Sequence, residues 1–287
     1  MKLLSYLADT GAGYGIVVEA ENGVIPVEGE MFDRFASIRA VLEHQAVAEL
    51  SDWATGRQPI LGLDDLLYLP PLHDAEKVIC IGVNYPKRHP VYGDLPPPEH
   101  ISVFNKFAGS VVGHRQPLIC PPAPMSETFD YEGELVLVIG REGRFIKIQD
   151  VFAHIAGYTI MNDGSVRSWQ KHSVPAGKNF LSSSSCGPWM VTADEIDDPF
   201  AMTLSTRLNG EEVQNTTASQ MIFDIPKLVN YVSTFLHLKP GDIISTGSPA
   251  GSGGSRQPQR FLFCGDELEI EWSGIGVLKN QVVMSPF

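Results

Sequence analysis

The stretch Phe129-Asp130-Tyr131-Glu132-Gly133-Glu134-Leu135-Val136-Leu137-Val138-Ile139-Gly140 carries two glutamates straight into an unbroken apolar run. Side chains of a strand alternate faces, so Glu132 and Glu134 point the same way, with only the hydrogen of Gly133 between them on the other side. Leu135 to Ile139 reads as a strand covered on both faces, closed by Gly140. Like charges at the mouth of a buried strand repel unless a cation or a proton lies between them, and a metal ion is the simplest remedy. Paired glutamates at a strand end are also a common solvated edge, so chemistry here requires partners elsewhere in the chain.

Working outward, the 287 residues favour one large core with a smaller N-terminal attachment, residues 1–72 before a main body of 73–287. Apolar residues at 43% and charged residues at 19% fit a globular chain and exclude wholesale disorder. The formal charge of -13 disfavours nucleic acid and anionic lipid as partners. A signal-like N-terminus and membrane-length apolar segments are both lacking, so the expected location is cytoplasmic. Cys80, Cys120, Cys186 and Cys264 are scattered without the close pairs of zinc sites, and buried free thiols are expected.

In the N-terminal segment, Gly15 to Ile25 reads as a hairpin turning at Asn22-Gly23, and the spacing of Phe32, Phe35, Ile38, Val41, Leu42 and Leu50 predicts a helix. Val78 to Tyr85 is a second buried-type strand ending in the polar Asn84 and Tyr85. A proline-rich stretch, Pro86 to His100, follows as a candidate lid and contains His89, Tyr92, Asp94 and Glu99. Asp150 is placed to cap a short helix over Val151 to Ala156, and Tyr158 to Met161 is a strand delivering Asn162-Asp163 at its end. Asn209-Gly210 marks a hairpin, and Asp224 caps a helix over Pro226 to Phe235. Ile243 to Thr246 runs into a glycine-rich loop, Gly247 to Gly254, and the tail from Gly265 alternates as half-buried strands do.

Glu132, Glu134 and Asp163 thus lie at the edges of apolar strands, and no Cys or His pair competes as ligands. Hard oxygen donors favour Mg²⁺, with Mn²⁺ or Ca²⁺ as alternatives, and disfavour zinc. Tyr131-Glu132-Gly133-Glu134-Leu135, Asn162-Asp163 with Arg167 and Gln170, Gly177-Lys178-Asn179-Phe180, Gly187-Pro188-Trp189, Asn209-Gly210, Thr246 to Gly251 and the Gly265-Asp266 to Asn280 tail together resemble the fumarylacetoacetate hydrolase family. The resemblance runs from about residue 78 to the C-terminus.

That resemblance implies a β-rich mixed α+β fold, a rolled mixed β-sandwich with few helices and a small N-terminal domain, assembled as a homodimer. It implies a divalent metal on Glu132, Glu134 and Asp163, with Lys178 on the oxo-acid end of a substrate and Tyr85, Arg167, Gln170, Thr246 and Gly247 completing the pocket. The expected reaction is hydrolysis of the C–C bond of an acylpyruvate or related β-diketo acid. There His89 acts as general base, with Asp94 or Glu99 orienting it, and Lys178 stabilises the enolate. Decarboxylation, hydration or tautomerisation of a small 2-oxo acid such as oxaloacetate is the alternative on the same site, ahead of a non-catalytic ligand-binding role. Four departures from the family pattern leave the metal ligands in place: an extra residue precedes His89, Tyr92 stands where a Glu partner of the histidine is usual, Ser168 replaces the Asp after the Arg, and the segment from Asp163 to Lys178 is shorter.

Overall fold

A computed structural model describes residues 1–86 and 96–286. His89, Tyr92 and Asp94 lie outside the described residues.

The Gly133–Ile139 strand is buried along its whole length and lies inside a mixed sheet. It pairs antiparallel on one side with Ile155–Asn162, with Gly133 opposite Asn162 and Leu137 opposite Tyr158. On the other side it meets Ile243–Ser245, with Val136 opposite Ser245. That sheet holds twelve strands among the described residues and continues through Val78–Gly82 to Ser102–Asn105 at one end. At the other end Ser184–Thr192 pairs with Lys2–Ala8, so the N-terminal strands extend the same sheet. A second sheet of five strands, Glu211–Thr217, Thr203–Leu208, Glu267–Trp272, Gly276–Met284 and Leu118–Cys120, packs on one face. The expected β-rich, mixed architecture with few helices is what the chain adopts.

The alternation of the central strand decides what lies on each face. Leu135, Leu137 and Ile139 join Leu204, Ile270 and Trp272 in the core between the sheets. Val136 and Val138 join Met31, Ile38, Leu42 and Leu50 in a second core under the N-terminal helices. Burying such side chains contributes about 1.5–3 kcal/mol each before the entropy of ordering is set against it.

The apolar series from Phe32 to Leu50 forms three short helices, Glu30–Arg34, Ile38–Glu43 and Val47–Ala54, rather than one. The Ser37 hydroxyl accepts from Ala40 N at 3.2 Å to start the second helix, and Gln45 at φ 55° interrupts the chain after it. The helix expected over Val151 to Ala156 is also corrected. Ile148–His154 is a 3₁₀ turn, and Ile155 already belongs to the next strand, where pairing opposite Ile139 overrides local preference. Asp224 caps Ile225–Phe235 as expected, its carboxylate accepting from Lys227 N at 3.0 Å. Asn209 and Gly210, both at positive φ, turn the expected hairpin. Cys80, Cys120 and Cys186 are buried, but Cys264 is exposed. Among the described residues no helix is long and apolar enough to cross a membrane.

Candidate metal centre and active site

The antiparallel register that sets Gly133 opposite Asn162 brings Asp163 beside Glu132. Asp163 N donates to Glu132 O at 2.8 Å, and Glu132 N donates to the Asn162 side-chain oxygen at 3.0 Å. Glu132, Glu134 and Asp163 then converge, with candidate ligand oxygens all within 4.8 Å of one another. They are 0%, 2% and 1% exposed, which excludes a solvated edge.

Among the described residues, three cations accompany them. Lys178, at the end of the Val174–Lys178 helix, sets its ammonium against Glu132 Oε2 and, at 2.5 Å, Asp163 Oδ2. Lys106 reaches Asp163 Oδ1 at 2.8 Å. Arg167 places Nε 2.7 Å from Asp130 Oδ2 and Nη2 3.2 Å from Glu132 Oε1, and its Nη1 donates to Gln170 Oε1 at 3.2 Å. Burial pushes the Asp163 carboxyl up, but the ammonium groups of Lys106 and Lys178 outweigh it and hold the group below the ordinary carboxylate range.

Glu134 is held differently. Its Oε2 accepts from Ser245 Oγ at 2.6 Å and from Gly247 N at 3.0 Å. Gly247 sits at φ 94°, and a Cβ there would lie 2.8 Å from the Asn84 Cβ, so the loop approaches this closely only with glycine. Asn84 clips the loop by donating to Thr246 O at 2.8 Å and Phe223 O at 3.1 Å. Thr246 donates its hydroxyl proton to Leu135 O at 2.9 Å and so anchors the loop to the central strand. The Tyr85 hydroxyl is buried with no hydrogen-bond partner among the described residues, and burial together with nearby Glu134 raises its pKa.

The convergence of three buried carboxylates, an all-oxygen donor set, fits a hard divalent cation.

The structure therefore brings together Glu132, Glu134, Asp163, Lys178, Arg167 and Gln170, with Gly247 and Thr246 as the loop behind Glu134. Glu99 is not in this cluster. Its side chain is 89% exposed, 3.8 Å from the exposed His100 ring. Ser168 accepts from the Thr128 hydroxyl at 2.9 Å. Sequence reasoning missed Lys106, Asp130 and Ser245. Strand parity could have flagged Asp130, two residues before Glu132, whose carboxylate also accepts from the N–H groups of Gly253 and Gly254 at 2.6 and 3.0 Å. No local pattern marks Lys106, a single lysine after a four-residue strand.

Residues 77–283 match the family description of the fumarylacetoacetate (FAA) hydrolase C-terminal region, and the chain belongs to that family. It is similar to the mitochondrial oxaloacetate tautomerase FAHD2A of Bos taurus, 35% identical over 291 residues, covering 99% of this chain and 92% of the relative. Among solved structures it resembles a fumarylacetoacetate hydrolase from the psychrophilic Exiguobacterium antarcticum, with 30% identity, a TM-score of 0.80 and coverage of 99% and 100% of the two chains. The fold is also that of a maleylpyruvate hydrolase from Sphingobium sp. SYK-6 solved with manganese(II) and pyruvate, at 22% identity, TM-score 0.80 and coverage of 99% and 100%.

Proposed function

We propose that this protein catalyses keto–enol tautomerisation of a small 2-oxo acid of the oxaloacetate type, with a divalent metal, Mg²⁺ or Mn²⁺, held by Glu132, Glu134 and Asp163. The observation that carries the reading is likeness over nearly the whole chain to an oxaloacetate tautomerase, with buried carboxylates at strand ends and Lys178 at the end of a helix beside them. When bound, such a metal supplies Lewis-acid polarisation of the keto group.

The chain's own residues account for the rest. Lys178 presents a fixed ammonium where negative charge develops on the substrate oxygen. Arg167, held by Asp130, Glu132 and Gln170, fixes a guanidinium charge beside the carboxylates. The Tyr85 hydroxyl keeps its proton and offers it as a hydrogen-bond donor in a buried setting. Tautomerisation moves one proton from the carbon beside the keto group to its oxygen and needs no activated water, so it asks less of the site than C–C hydrolysis. For a base, His89 remains the candidate by sequence. Assembly as a homodimer belongs to the same proposal, and sedimentation velocity reads it directly.

Hydrolysis of an acylpyruvate is the second reading, favoured by likeness to the Exiguobacterium hydrolase. Following enol absorbance of oxaloacetate and of an acylpyruvate, with Mg²⁺ or Mn²⁺ and again after chelation, separates the two. The expected result is rapid metal-dependent decay of the oxaloacetate enol without release of carbon dioxide, lost on chelation and restored by metal. Cleavage of the acylpyruvate with the oxaloacetate enol untouched would reverse the order, and turnover indifferent to chelator would remove the metal from the reaction.

A further inference from the structure

Lys106 is 3% exposed and follows the Ser102–Asn105 strand, its backbone N still paired with Val78 O at 3.0 Å. An ammonium has three N–H groups, and this one has three oxygen neighbours on two separate segments. It donates to Lys178 O at 2.5 Å and Gly164 O at 3.2 Å, and pairs with Asp163 Oδ1 at 2.8 Å. Two backbone carbonyls and the Asp163 carboxylate thus hold the ammonium in place. It joins the segment that carries a candidate metal ligand to the one that carries the Lys178 ammonium.

Lys106, its side chain wholly buried, is also among the residues around a cavity of about 730 Å³ that Leu72, Val78, Cys186 and Ile243 line, with the exposed Phe107 among its walls.

We propose that Lys106 is a positioning residue, setting Asp163 for the metal and Lys178 for the substrate. Its rate readout rests on the tautomerase reading, whereas its metal readout does not. Partners that orient metal ligands are worth about 10–100-fold in affinity or activity, and a displacement of about 1 Å at a reacting group costs about a hundredfold.

The test compares Lys106→Ala and Lys106→Arg with the parent, measuring Mn²⁺ affinity of the metal-stripped protein by electron paramagnetic resonance and then turnover of the loaded enzyme. Lys106→Ala is expected to bind Mn²⁺ about tenfold or more weakly and to lose about a hundredfold in kcat, with KM little changed. Propylammonium, which matches the missing stem and charge, should restore much of both, and propanol should not. Lys106→Arg keeps the charge with a different donor geometry and still loses about tenfold in Mn²⁺ affinity. Equal rescue by propanol would make Lys106 packing only. Parent-like affinity and turnover in Lys106→Arg would make it a bulk charge, and either result overturns the proposal. If Lys106→Ala does not fold, Lys106→Arg decides the matter. A parent without tautomerase turnover would sink the functional reading alone, because Mn²⁺ affinity still judges Lys106.

Discussion

The two faces of the Gly133–Ile139 strand solve opposite problems with neighbouring residues. Toward the five-stranded sheet it presents Leu135, Leu137 and Ile139, which need only apolar volume. Toward the N-terminal helices it presents Val136 and Val138 in a second core, and at its mouth Glu132 and Glu134 among cations and fixed donors. The first face tolerates exchange of shape within its volume. The second requires particular charges at particular atoms, because a buried carboxylate without a partner costs several kcal/mol. Stability and chemistry are thus divided between the two sides of one strand, and substitutions on each side should separate them.

The largest effect is expected on the charged face. Glu132→Gln removes a ligand charge and the partner of both Lys178 and Arg167. Turnover with saturating Mn²⁺ should fall on the order of a thousandfold, the upper range for losing one electrostatic element of a site. A parent-like rate would remove Glu132 from the chemistry.

On the apolar face, Leu137→Ala should cost about 2–5 kcal/mol in urea unfolding through the cavity it leaves. The folded fraction should turn over like the parent. A loss of rate as deep as that of Glu132→Gln would show that the faces are not independent.

A pH dependence should also arise between the sheets. His114 lies edge-on to Tyr68 at 4.8 Å and its Nδ1 accepts from Lys279 N at 3.1 Å, so it bridges a strand of each sheet. Burial first, then Arg115 and Lys279, lower its pKa from 6.5 to about 4. Between those values the unfolded chain binds a proton that the folded chain does not. The stability it contributes is therefore full above pH 6.5 and is lost as pH falls toward 4, by about 3 kcal/mol at the limit. Urea midpoints across that range should decline less in His114→Asn. An identical decline would place the titration elsewhere.

The smallest effect comes where the faces meet. A Cβ at Gly133 would lie 2.4 Å from Thr206 Oγ1 and 3.0 Å from Ile270 Cγ2. Gly133→Ala should cost about 1–3 kcal/mol by overpacking. Adding Thr206→Ala should recover part of it, and strict additivity in that cycle would refute the clash.

Much of this division was legible before any coordinates. The apolar run after Glu134, the parity of Glu132 and Glu134, the Asn209-Gly210 turn and the Asp224 cap are local signals, and each describes what formed. Legibility failed where a local break interrupted the pattern or where neighbours from distant segments decided. Phe32 to Leu50 keeps helical spacing yet is broken by the Ser37 cap and the positive φ of Gln45. Val151 to Ala156 yields to strand pairing at Ile155. Glu99, chosen for its place near His89, stands in solvent. Lys106 was invisible because its partners, Asp163, Gly164 and Lys178, are 57 to 72 positions away.

The sequence by itself determined the strand, the donor chemistry and the family, because alternation, charge type and ordered motifs are properties of the chain read locally. Only the tertiary structure decided how those charges are balanced. Antiparallel register sets Asp163 beside Glu132, and Lys106, Lys178 and Arg167 arrive from separate segments to share the carboxylates between them. Electrostatic pairing falls off over a few ångströms in space, and no spacing along the chain encodes that distance.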